Sequence, residues 1–594
     1  MKEQNQAFDA EAFQKGIRKS KSKLIKYVKS RPITDIKDML WTSTQMFGDK
    51  VAFMQKFNKN APYEKITYNQ TLSDVKCLGT ALLDLDLSGE KIAIIGANCY
   101  QWAISYLATV CGVGMVVPLD KALGKEDILE LCQIADVTGV IFTEKYQDTF
   151  QEIKGDIKNL RVMINMDAKE EDELPEGVLS WWKLISSGRH SIQNGSHDYE
   201  NREIDNLAPV SLIFTSGTTG IAKGVLLSHK NIVADLMMSC TVVKMEIGDI
   251  FFSVLPLNHT YECTGGLLMP LYQGCTIAYC QGLKYFSRNM KEVKPTTMLA
   301  VPAIVENLQK TIMKNVNKKL MANSLRKGLM INKGAQKVGL ELSNFIFGEI
   351  KESLGGRLKI IISGGAASNP DTMKFMRGLG IIACQGYGLT ECSPMTCLNP
   401  DKHMKDESAG LLLPNMEAKI VDADKDGNGE ICFRGENIMC GYYNNPEATR
   451  EVIDEEGWYH TGDLGTIDSK GYVFITGRKK NVIIAHNGKN VFPEEIEYHL
   501  EKIPYVEESM VWGDEESRDM AIVATIRVDK EEVEEELGKD YTQEDLQELL
   551  WFHVNQINDE LPNFKMIKRI VIKEDEFIKT TTSKIKRFEK ANRR

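Results

Sequence analysis

The chain has 594 residues, 43% of them hydrophobic and 26% charged. That composition excludes a mainly disordered or fibrous protein; about 150 residues per domain allows about four compact units, but α/β domains often run larger, so two or three are expected. A formal charge of -10 supplies no global positive field for a polyanion, so nucleic acid is not an expected partner.

Residues 1–35 read as a helix-like basic arm, with Phe13, Ile17, Leu24, Ile25 and Val28 set among Lys15, Arg18, Lys19, Lys21, Lys23, Lys26, Lys29 and Arg31. Positive charge beside an apolar stripe, over residues 15–31, suits peripheral contact with an anionic membrane face. The polar start MKEQNQAFDAEAF lacks the apolar run of a secretory leader, and the thirteen scattered cysteines include no C-x-x-C pair and no zinc-like spacing. A reduced, cytoplasmic protein is expected, in contact at most with the inner face of a membrane.

From Lys91 the pattern becomes short apolar strands (KIAIIGA, GMVVPL, GVIFT) alternating with helical periods through Trp102 and Leu107 and from Glu126, the signature of a parallel sheet covered by helices. Turn-rich connections over residues 167–177 and 194–205 precede a second series that opens at PVSLIFTSG. Two charge-free stretches, residues 92–119 and 263–283, are broken by Gly, Pro, Asn or Gln and are expected as buried strands and helices rather than membrane spans. EAKIVD, GEICFRG and GYVFITGR follow, separated by Gly-rich turns, so a small antiparallel region with no helix between its strands is expected. The tail after Arg478 has its own strand and helix pattern. The expected fold is α/β: a basic arm (1–35), a large N-terminal domain of two α/β layers with a small β-barrel-like region (36–477), and a small mobile α+β C-terminal domain (478–594).

The most informative segment is SLIFTSGTTGIAKGVLLSHKN. An apolar strand runs into Thr215, Ser216, Gly217, Thr218, Thr219 and Gly220, then Lys223 and Gly224, with a helix expected near Ser228. Glycines let backbone N–H groups converge on oxyanions, hydroxyls add donors and lysine adds charge, so nucleotide phosphates are the natural guest. It is not a Walker loop, because the lysine lies three residues beyond the second glycine and no hydroxyl follows it.

TSGTTGIAKG resembles the signature loop of the AMP-forming adenylating enzymes, with Ala222 where proline is usual. Further motifs of that family follow in order. SGGAAS (363–368) is similar to the segment lying against adenine and the acyl carboxylate, which implies contacts at Gly364, Gly365 and Ala366. QGYGLTE resembles the second signature and implies a nucleotide surface at Gln385, Gly386, Tyr387 and Gly388, with Tyr387 stacked on adenine, Thr390 at the α-phosphate and Glu391 holding magnesium together with Thr215. GWYHTGDLG implies ribose binding by Asp463, and Arg478 a second ribose and phosphate contact. Lys480 falls at the family's hinge position, Gly488 in the loop lining the thiol tunnel, and Lys584, in TTTSKIKR, at the lysine bridging carboxylate and α-phosphate; Ser583 stands where glycine is usual.

Taken singly, a core tyrosine, a capping aspartate or a surface lysine explains each of these residues; together and in family order they imply a two-step ligase using ATP, Mg2+ and CoA. Lys223, Lys584, Thr390 and Glu391 are its expected catalytic groups. LPLNHTYE, with His259 bordering acyl access, and the long basic helical segment 304–356 are similar to the long-chain fatty acid subgroup, so a long or medium chain fatty acid is the expected substrate. The short stretch after Lys584 leaves no room for a fused carrier domain, which favours free CoA; a fatty acyl-AMP ligase serving an acyl carrier protein is the alternative. Oligomeric state is not legible.

Overall fold

The computed structural model describes residues 18–19, 27–215, 222–318, 322–337, 340, 342–485, 489–514, 517, 520–579 and 585–593. Most of the basic arm, Ser216 through Gly220, Gly488 and Lys584 therefore lie outside the described residues. The chain divides into two compact units: Met1–Ala418 with Phe433–Tyr459 and Asp468–Val473, and Lys419–Cys432 with His460–Ile467 and Phe474–Arg594.

The first unit holds two sheets with parallel cores, as the strand and helix alternation predicts. One core runs Pro209–Thr215, Met115–Leu119, Lys91–Ile95, Gly139–Phe142, Val162–Asn165 and Val178–Ser180, all parallel. The other runs Val51–Gln55, Thr276–Tyr279, Ile250–Ser253, Thr297–Ala300, Ile360–Ser363 and Ile382–Gly388, again parallel throughout. Their Val/Ile-rich strands are buried on both faces, which is why they lack polar alternation. The charge-free stretches fall within these strands and their covering helices, and no helix among the described residues is long and apolar enough to cross a membrane. Helices pack tightly on them: a Cβ at Gly188 would stand 1.8 Å from the Cys77 carbonyl oxygen, so only glycine lets those two helices touch at that point.

Two expectations are corrected and one is extended. Arg18–Lys19 is a two-residue strand paired with Ala418 and Glu417, and residues 27–33 carry no helix; at Arg18–Lys19 backbone pairing outweighs a short helical period. The helix expected near Ser228 is present, but a strand not expected from the sequence precedes it. Lys223–Ser228 is a strand that returns antiparallel to Pro209–Thr215, and the helix His229–Val242 starts one residue later behind a capping box of Ser228 and Asn231. Finally, a helix, Pro446–Val452, does lie among the antiparallel strands, capped by the Asn445 side chain on the Ala448 N–H; Asn-Pro-Glu was a legible start signal.

The second unit includes a three-stranded sheet in which Ala521–Val528 pairs antiparallel with Val506–Asp514 and parallel with Ile567–Ile572. Helices Pro493–Leu500 and Gln543–Glu560 contribute Ile496, Leu500, Leu550 and Val554 to its core.

His229 makes the stability of the first unit pH-dependent. Its Nδ1 accepts the Ile36 N–H at 3.3 Å, and burial holds the imidazole down at about 4, against 6.5 for an ordinary histidine. The unfolded chain thus binds this proton at a higher pH than the folded one, so the stability that His229 contributes is complete above pH 6.5 and is lost as the pH falls toward 4. Urea unfolding is expected to show a loss on the order of 3 kcal/mol across that interval, and His229→Gln should flatten this part of the profile.

Candidate active site

The candidate residues of the first unit gather beyond the carboxyl ends of parallel strands, where helix-covered sheets leave backbone groups and side chains open to a ligand. Thr215 ends one such strand, and its Oγ1 donates to the Lys223 carbonyl at 3.3 Å. Lys223, opposite it in the hairpin, directs its Nζ over the Tyr442 ring, 5.0 Å from the centroid. Tyr442 lies on the strand Gly441–Tyr442, beside Val225, and its hydroxyl donates to Glu391 Oε1 at 2.9 Å. Burial, then the adjacent Glu391 carboxylate, pushes the Tyr442 phenol far up, so it remains a donor. One aromatic ring thus holds a cation on its face and a carboxylate at its tip.

Glu391 belongs to the one-turn helix Thr390–Cys392. Its carbonyl accepts from the Met439 N–H at 2.9 Å, and buried Asn437 donates to the Cys392 and Met395 carbonyls at 2.8 and 2.9 Å. Asn231 of the capping box donates in turn to the Glu436 and Ile438 carbonyls, each at 2.8 Å. The turn carrying Thr390 and Glu391 is therefore tied by amide clamps to the helix that follows Lys223. Gly388 fits because a Cβ there would lie 1.9 Å from the Pro394 carbonyl oxygen.

Tyr387, on the strand Ile382–Gly388, sits half-buried with its ring centroid 6.1 Å from that of Phe433. Gln385 on the same strand accepts the Ser368 N–H at 2.8 Å, which fixes the turn through Gly364, Gly365 and Ala366. Gly365 takes a φ of +85° and is exposed with Ala366. Gly364 lies against Tyr261, 3.1 Å from a would-be Cβ, and Tyr261 donates to the Ile362 carbonyl at 2.8 Å.

His259 follows the strand Ile250–Ser253, and its Nε2 lies 3.4 Å from Asp120 Oδ2, off the end of Met115–Leu119. Burial raises the Asp120 carboxyl, but His259 and the Ala122 N–H outweigh it and hold the group below the ordinary range. Asn98 braces the same loop, donating to Ser253 Oγ at 3.0 Å and the Leu255 carbonyl at 2.6 Å. Glu262 is fully buried, bonded to Ser253 Oγ, and burial raises its carboxyl to about 8. Sequence reasoning missed Asn98, Asp120, Glu262 and Tyr442; a polar residue just past an apolar strand was the available signal for Asn98 and Asp120.

In the second unit, Asp463 is buried on the strand Tyr459–Ile467, and Arg478 Nε reaches its Oδ1 at 2.7 Å. Lys480 lies exposed in the one-turn helix Lys479–Asn481. The five residues 580–584 are spanned by a bridge between Lys579 and Ile585, and just beyond, Arg587 binds buried Glu497 and the Val511 carbonyl. Arg587, on the C-terminal side of that bridge, is thereby anchored.

The AMP-binding enzyme profile matches residues 40–443, and that of the AMP-binding enzyme C-terminal domain residues 480–592. Fatty acyl-CoA synthetase B of Dictyostelium discoideum is 30% identical over 565 residues, 89% of this chain and 81% of that protein. The chloroplastic long-chain-fatty-acid–[acyl-carrier-protein] ligase of Arabidopsis thaliana is 27% identical, covering 85% of this chain and 78% of its own. Among solved structures, an anthranilate CoA ligase bound to anthranoyl-AMP superposes with a TM-score of 0.73 at 19% identity over 93% of this chain and 96% of that one, which shows the adenylate-forming fold. With a profile match over most of its length and a relative at 30% identity, the chain belongs to the AMP-binding enzyme family.

Proposed function

We propose that the chain is an AMP-forming fatty acid–CoA ligase: a long or medium chain fatty acid and ATP give acyl-AMP and pyrophosphate, and CoA then displaces AMP to give the thioester. The observation that supports this reading best is the Lys223–Tyr442–Glu391 arrangement, a cation and a carboxylate held by one phenol at a strand end. Polyphosphate needs a positive side chain and a carboxylate-held hard cation, and this grouping offers both.

The oxygen donors fit Mg2+. Tyr442 occupies Glu391 Oε1, leaving Oε2 and the Thr215 hydroxyl as protein ligands. No group of three or more His, Cys, Asp or Glu side chains forms a self-sufficient metal cage among the described residues, so phosphate oxygens and water would complete the shell. Bound there, the ion would neutralise phosphate charge. Lys223 would offset charge on the phosphates, Tyr387 would offer its ring to adenine, and Thr390 its hydroxyl to the α-phosphate. Asp463, oriented by Arg478, would accept from the ribose hydroxyls, and His259, held by Asp120, would border the acyl chain. Lys584 serves adenylation and Gly488 the thiol tunnel, with Lys480 the hinge between the two arrangements.

The acyl carrier protein ligase among the relatives favours one second reading, transfer to a carrier protein. Acid-dependent exchange of labelled pyrophosphate into ATP, across a panel of acids, tests the adenylation step; CoA-dependent AMP release then separates the two acceptors. No exchange with any fatty acid would sink the proposal.

Tyr442→Phe keeps the ring under Lys223 and removes only the hydrogen bond to Glu391. It should raise the Mg2+ concentration for half-maximal exchange about tenfold and weaken Mn2+ binding to the ATP complex, measured by electron paramagnetic resonance. In a Glu391→Gln background the same change should add little.

Lys584→Ala should abolish adenylate formation and still convert supplied acyl-AMP to thioester. Gly488→Leu should do the reverse, blocking thioester formation while exchange stays within about twofold of the unmodified enzyme. Equal loss of both half-reactions in either variant would rule out the division of labour.

A further inference from the structure

Residues 307–340 contain eight basic side chains (Lys310, Lys314, Lys318, Lys319, Arg326, Lys327, Lys333 and Lys337) and no Asp or Glu, in a chain of net charge -10. They fall largely on the helices Pro302–Lys318 and Ala322–Lys337 of the first unit. The second of these turns Leu325, Gly328 and Asn332 inward. Asn332 donates to the Gly378 carbonyl at 2.9 Å, and a Cβ at Gly328 would stand 2.8 Å from Ile346. The helix is thus seated on the body on one side, and against the short helix Ser343–Ile346.

The outward side is not the polar face such a helix normally presents. Met330 is 67% and Ile331 58% exposed, each one turn beyond an exposed basic residue, Arg326 and Lys327 respectively. Phe345, next to the Ile346 that packs on this helix, is 93% exposed. Scattered single apolar residues need no explanation, but five of the chain's large exposed ones, Leu340 and Leu342 included, fall within residues 330–345. Phe345, with almost its whole ring in water, adds nothing to the core and is available to a surface outside the fold.

We propose that this face, the outward side of Ala322–Lys337 with the turn through Phe345, docks on an anionic lipid bilayer. Lysine and arginine meet the headgroups while Met330, Ile331 and Phe345 enter the acyl boundary, the division of labour of an interfacial helix. The apolar groups protrude instead of lining a groove, which suits a deformable bilayer better than a shaped protein partner. Helix Pro302–Lys318, about 25 Å long at 1.5 Å per residue, starts beside Val301, which lies 3.7 Å from a would-be Cβ at Gly365 in the candidate site. On the proposed function, docking would bring that site near a membrane-dissolved fatty acid; the docking itself does not depend on that reading.

The test is co-sedimentation of the full chain with vesicles of phosphatidylcholine alone and of phosphatidylcholine mixed with phosphatidylglycerol, at low and high salt. Expected are binding only to the anionic vesicles, weakening with salt, an about tenfold loss in Met330→Ser/Ile331→Ser/Phe345→Ser, and at least an about hundredfold loss in Arg326→Glu/Lys327→Glu/Lys333→Glu. Both variants change exposed side chains only, so exchange with a water-soluble acid should be unchanged, which checks folding and tests the adenylation reading separately. No binding by the intact protein, or binding that survives both variants, would overturn the proposal. So would binding lost only on removing residues 1–26, which would assign docking to the arm. A dimer that the serine variant dissociates in light scattering, or capture of an acidic carrier protein in place of vesicles, would assign the face to a protein partner.

Discussion

A parallel sheet must be covered on both faces, because its connections cross over it, and that constraint decides where this molecule can do chemistry. Faces sealed by helices leave the carboxyl ends of the strands as the place where polar side chains can meet a ligand without sacrificing core. Thr215, Asp120, Ser253, Ser363 and Gln385 all stand at or just beyond such ends. The loops that carry His259, Gly365 and Glu391 leave from the same edge. Burial of Val/Ile-rich strands and concentration of hydroxyls, amides and charges at their tips are one arrangement seen from two sides.

Within that arrangement charge is handled by pairing. Tyr442 separates Lys223 from Glu391 and satisfies both, so neither needs to neutralise the other before a substrate arrives. The clamps made by Asn437 and Asn231 show why the turn beneath Glu391 can hold its shape: the Asn437 amide claims the Cys392 and Met395 carbonyls, which would be expensive to leave unpaired, and the Asn231 amide in turn ties the Glu436 and Ile438 carbonyls flanking Asn437 to the neighbouring helix. In the second unit Arg587 and Glu497 do the same for the last segment of chain. Burial raises the Glu497 carboxyl and the arginine counters it, which fixes the segment at Arg587 to the sheet strand that carries Val511.

The charge distribution separates two kinds of surface. The chain is acidic overall, yet an acid-free basic run, residues 307–340, overlaps a cluster of exposed apolar side chains among the described residues of 330–345. Uniform electrostatics would favour solubility and nothing more. The two features meet on the helix Ala322–Lys337, which carries Met330 and Ile331 beside Arg326 and Lys327, and the turn beyond it adds Phe345.

The sequence by itself determined the α/β class, the two strand series and the family motifs, because hydrophobic alternation, glycine spacing and hydroxyl clusters are local properties written over a few residues. It did not show that Lys223–Ser228 is a strand, since six residues that begin with Lys-Gly carry too little alternation to declare a hairpin partner. Nor did it show that the arm's Arg18–Lys19 pairs as a strand, where tertiary backbone bonding overrides a helical period. Only the tertiary structure brought Tyr442 to Glu391, 51 residues away in the chain, and Asp120 to His259. Those contacts depend on which strands lie side by side and in what register, and residue periodicity reports which side of an element is buried without saying what it is buried against.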